Sequence, residues 1–188
     1  MKASRLVQLL DPTTQLLGWG ENQQAVERIK ELATELNKRS SLNLFVFFSM
    51  WQVPMGSASN DNHTLGDLLR SIMGLQKASG ASKKSITQLS DLIDVIPVDA
   101  SAPEVARAIG GFDLVEAFIA GLQDAAGSRE KFEKIMKLLE TKGVATKAQL
   151  CEIAQQYAGG TKPKSGPFAL SAIRAKFSSD QLFASKTG

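Results

Sequence analysis

Apolar residues return at every third or fourth position along most of this chain, a period that predicts a succession of amphipathic α-helices. Within 21–38, Val26, Ile29, Leu32, Ala33 and Leu36 fall on one face, while Glu27, Lys30, Glu31 and Lys38 occupy the other. Further stripes are Leu65, Leu68, Leu69 and Ile72; Ile86, Leu89, Leu92 and Ile93; Leu114, Val115, Phe118 and Leu122; and Phe132, Ile135, Met136 and Leu139. Capping pairs mark the starts: Thr64 with Asp67, Ser85 with Gln88, Ser101 with Glu104, Asp113 with Glu116, and Thr146 with Gln149. In each, the first side chain accepts from an unpaired backbone N–H and the fourth residue returns the bond. Ser128 is expected to cap the Phe132 stripe. Breakers at 79–82, 96–99, 110–111 and 126–128 separate the segments. The spacing predicts seven to nine helices.

One stretch departs from this period. Residues 44–53 are apolar on nearly all sides, and Phe45, Val46, Phe47 and Phe48 favour a strand by propensity. No partner strand is visible elsewhere, so the segment reads as a core helix, followed by a loop over 54–62. The fold class is therefore all-α: a multi-helix, bundle-like body over 1–127, a helical module over 128–177 containing a basic hairpin, and a flexible tail over 178–188.

Composition narrows the possibilities without identifying chemistry. The chain has 188 residues, 43% of them apolar and 22% charged, ordinary proportions for a folded protein. Its most apolar run, 42–53, is far shorter than the roughly 20 residues a membrane span needs. Leu6 to Leu10 is too short for a signal peptide, so the expected location is cytoplasmic. Cys151 is the single cysteine, which excludes an internal disulfide and a cysteine-based metal site. It reads as a small hydrophobe in a helix. His63, the single histidine, precedes the Thr64 cap in a polar loop and has no nucleophile to activate. Gly18, Trp19 and Gly20 lack the continuation of a phosphate-binding loop. Pairs such as Glu130 with Lys134 and Glu133 with Lys137 are read as surface support for a helix. No enzyme and no cofactor are expected.

Charge changes the picture more. Residues 1–141 hold 15 Lys/Arg against 17 Asp/Glu, whereas 142–188 hold 7 against 2. Such a split points to an anionic partner for the basic end. There, Thr146 to Phe177 reads as helix, extended basic turn, helix. Leu150, Ile153, Ala154 and Tyr157 line the first helix, and Gly159 and Gly160 end it. Thr161, Lys162, Pro163, Lys164 and Ser165 form the turn. Gly166 and Pro167 open the second helix, which buries Leu170, Ile173 and Phe177.

Across about thirty residues, this outline resembles the SAP-like family of helix–extended-loop–helix DNA-binding modules. The shared features are Leu150 and Ile153, the glycine turn, Lys164 with Ser165, and Leu170 followed by Ile173 and Arg174. The resemblance implies weak, salt-sensitive binding of DNA or RNA through phosphates. Lys147, Lys162, Lys164, Ser165, Arg174 and Lys176 are the candidate contacts. The alternative is an interaction or regulatory protein, whose apolar surface around Phe45 to Trp51 docks a protein partner or a second copy. No membrane role is expected.

Overall fold

The computed structural model describes residues 1–18, 23–51 and 64–187, and the side chains of all these except 13–18 and 184–187. Helices dominate the described residues, as the periodicity predicts, and the chain divides into two compact units, 1–112 and 113–188. The first holds α1 (Ala3–Gly18), α2 (Gln23–Lys38), α3 (Leu44–Met50), α4 (Leu65–Ala78), α5 (Lys83–Ile93) and α6 (Ala102–Gly111). The second holds α7 (Leu114–Asp124), a 3-10 turn (Ala125–Gly127), α8 (Arg129–Glu140), α9 (Lys147–Ala158) and α10 (Gly166–Thr187).

In the first unit, α1 packs on α2, α2 on α6, and α4 on α5. Helix α1 runs through Pro12. An interior proline forfeits one backbone bond and costs about 3 kcal/mol, but Ala3, Leu6, Val7 and Leu10 are buried along the same helix. Their burial, at roughly 1.5–3 kcal/mol for each large side chain, outweighs that loss. The ambiguous segment forms α3, with Asn43 accepting from Phe45 N–H. The isolated bridge of Lys2 to Asn43 is too small to recruit it into a sheet. Its Phe47 ring meets Phe48 at 4.9 Å and Phe112 at 5.1 Å, both edge-on, and stacks on Trp51 at 5.7 Å. Arg39 donates to the carbonyls of Gly110 and Phe112, satisfying acceptors that the end of α6 leaves free.

Thr64, Ser101, Asp113, Ser128 and Thr146 are helix caps as expected. The exception is α5. Its cap is Ser82, which accepts from Ser85 N–H at 3.3 Å, so the helix begins one turn before Ser85. The loop at 54–62, along with His63 and Trp19, lies outside the described residues.

The division after Phe112 falls earlier than the boundary expected after 127. Helix α7 buries Val115, Phe118 and Leu122 and packs on α9, so it belongs with the C-terminal helices. Amphipathicity announces that a helix has a buried face but not what covers it. Residues 178–187, expected as a flexible tail, continue α10. No glycine or proline follows Pro167 until Gly188, and Lys176 pairs with Asp180 one turn on at 2.6 Å. Gln181 donates to the Ala126 carbonyl, tying this extension to the 3-10 turn.

Candidate nucleic-acid interface

The helix–loop–helix of 147–187 is present, but its second helix does not fold back antiparallel as a hairpin requires. A β-carbon built on Gly166, the first residue of α10, would stand 3.6 Å from Leu150 Cδ1, in the first turn of α9. The connection therefore travels back along the whole of α9 before α10 begins. Length permits this. The 12 residues of α9 span about 18 Å, and the connection 159–165 reaches about 23 Å when extended. Farther along the pair, Tyr157 of α9 feels the charge of Asp180 of α10. The two helices thus run broadly side by side in the same direction, and both begin at the same end of the unit.

The glycines and proline of the connection explain its path. Gly159 (φ 77°, ψ −178°) and Gly160 (φ 79°) have positive φ, where a residue with a side chain is strained. Pro163 restricts Lys162 to extended geometry. In an extended chain, alternate residues point the same way. Accordingly, Pro163 and Ser165 are half-buried while Lys162 and Lys164 are exposed.

This path decides which expected contacts meet. Lys147 opens α9, and Lys164 and Ser165 immediately precede α10, so these three collect at one end. Lys162 stands two residues back along the connection. Lys142, which the sequence reading did not single out, is exposed in the short link from α8 to α9. Among the described residues, no carboxylate pairs with Lys142, Lys147, Lys162 or Lys164.

Arg174 and Lys176 do not join them. Arg174 faces α8, donating to Glu133 at 3.1 and 3.2 Å and to Glu140 at 2.7 Å. Its hydrogen bonds to Glu140 and then to Glu133 raise its pKa further. Lys176 is engaged by Asp180. Both also lie deeper in α10, about 12–15 Å from its first residue. The sequence separation of Arg174 from its partners, 41 and 34 residues, hides this neutralisation from a linear reading.

Cys151 is buried in the core of this unit, as a small hydrophobe would be. No group of three metal-ligating side chains occurs among the described residues. Among the same residues, no helix is long and apolar enough to cross a membrane.

Tyr157, the single tyrosine, supplies a measurable check on the α9–α10 packing. Its hydroxyl oxygen is shut off from solvent and finds no hydrogen-bond partner among the described residues. Burial, and secondarily Asp180, raises its pKa above the usual tyrosine value. The fold therefore favours the neutral phenol. This contribution to stability is complete below the unfolded pKa of about 10 and declines as pH climbs toward the higher folded value. In an alkaline titration, tyrosinate absorbance should develop at higher pH in native protein than in urea-unfolded protein. Coincident curves would contradict the packing.

The chain matches no protein-family model, and neither a curated protein nor a solved structure is similar to it.

Proposed function

We propose that this chain is a non-enzymatic cytoplasmic protein that binds nucleic acid through one end of its C-terminal unit. Lys147, Lys162 and Lys164 contact phosphates, with Lys142 and Ser165 beside them. The observation carrying this reading is the approach of Gly166 to Leu150, which gathers cations from separate elements at a single end. Arg174 and Lys176, already paired with carboxylates, take no part in it. The alternative, a docking surface at Phe45 to Trp51, has less to support it: Val46, Phe47 and Phe48 are buried within the first unit, and of these rings Phe45 is the exposed one.

A site with three or four phosphate contacts binds weakly at physiological salt, on the order of micromolar or poorer. Binding should fall steeply as salt rises, by roughly 0.7–0.9 in log K per log salt for each contact, giving a slope of about −3. Fluorescence anisotropy with labelled oligonucleotides at two salt concentrations measures this directly. The Lys162→Glu/Lys164→Glu double variant should lose at least about tenfold in affinity at low salt. Failure of wild-type protein to bind at low salt, or unchanged binding by the double variant, would overturn the proposal.

A further inference from the structure

We infer that the nucleic acid taken by this surface is single-stranded, with one base stacked on Phe168. This inference rests on the phosphate-binding reading above. Phe168 lies in the first turn of α10 and is 71% exposed; Phe183, at the far end of the same helix, and Phe45 in the first unit are exposed too, whereas Phe47, Phe48, Phe118, Phe132 and Phe177 are buried. An exposed ring is ordinary on a protein surface. This one stands four residues after Lys164, at the end where Lys147 and Lys164 meet. Helical side chains tilt toward the N-terminus of their helix, so the ring leans toward those lysines.

The combination selects between forms of nucleic acid. In a duplex the bases already stack on one another, and lysines reach phosphates without any use for an apolar ring. A single strand leaves base faces in water, where an aromatic side chain can cover them. Lys162 and Lys164 are both exposed and, two residues apart, have Cα atoms within about 7 Å of each other. That interval is comparable with the step between neighbouring phosphates of an extended strand. A backbone track beside a ring is the arrangement that holds single strands with little sequence preference, because every base has a stacking face.

The test compares a labelled oligothymidylate with a duplex of equal length, using the full chain at low salt. Wild-type protein should bind the single strand more tightly. Phe168→Ala should weaken single-strand binding about tenfold and leave duplex binding unchanged, while Phe168→Trp should retain it. Because the ring is exposed, circular dichroism should show the Ala variant folded as wild type. Binding to duplex alone, or indifference of single-strand binding to Phe168→Ala, overturns the stacking inference but leaves the lysine surface standing. Equal loss on both ligands also overturns it. Binding to neither ligand overturns both readings.

Discussion

Replacing Phe47 with alanine should destabilise the N-terminal unit by about 3–5 kcal/mol, the usual cost of deleting a buried phenyl ring. Phe47 is 0% exposed and touches three other rings, drawn from α3, the residue after it and the end of α6. Its removal loses both transfer free energy and edge-on aromatic contacts. The cavity lies among large rigid rings that cannot easily collapse into it. A loss of this size is a large fraction of the roughly 5–15 kcal/mol that holds a typical domain together. Trp51 stacks on the deleted ring, so urea unfolding followed by tryptophan emission reads the change at its source. The midpoint should drop by roughly 2 M. Phe45→Ala on the same helix is the matched control, since that ring is 38% exposed. It should cost less than half as much, and equal losses would contradict the assignment of Phe47 to the centre.

A comparable effect is expected from Phe132→Ala in the C-terminal unit. Phe132 is 2% exposed, and its ring lies face to face with Phe177, with centroids 3.8 Å apart and planes 8° from parallel. This stack joins α8 to α10. Around it, Arg174 fastens the same two helices through Glu133 and Glu140. These ion pairs are about half exposed and screened by water, so they contribute little beside the rings. Phe132→Ala should cost about 3–5 kcal/mol and Phe132→Leu considerably less, because leucine leaves a smaller void. Urea titration followed by far-ultraviolet circular dichroism separates the two variants. An alanine variant as stable as the leucine one would place the ring outside the core.

Local features of this architecture were legible in the sequence. Thr64, Ser101, Asp113, Ser128 and Thr146 cap helices because a short oxygen-bearing side chain before an amphipathic run has few other uses. The α3 segment was readable by elimination, since a strand without a partner leaves its backbone unsatisfied. The passage of α1 through Pro12 was not legible, for the opposite reason. Its local penalty is certain from sequence, but the burial of Leu6 and Leu10 that offsets it is a tertiary fact. The candidate site followed the same division. The excess of lysine after residue 141 was countable, while the engagement of Arg174 by α8 depended on contacts distant in sequence. Nor could spacing alone tell whether the connection after Ala158 turns straight into α10 or first retraces α9. That choice decides whether Lys147 stands with Lys164 or a helix length away.

The backbone at Gly159 carries a consequence about handedness. With φ 77° and ψ −178°, it has the mirror image of an ordinary extended conformation, and a β-carbon there would meet no atom within 4 Å. The restriction is therefore one of chirality and not of space. A D-amino acid fits the position without strain, whereas each of the nineteen chiral residues of ribosomal synthesis opposes it. The meeting of two helix beginnings, and of the lysines gathered there, thus depends on an achiral residue at the point where the chain reverses.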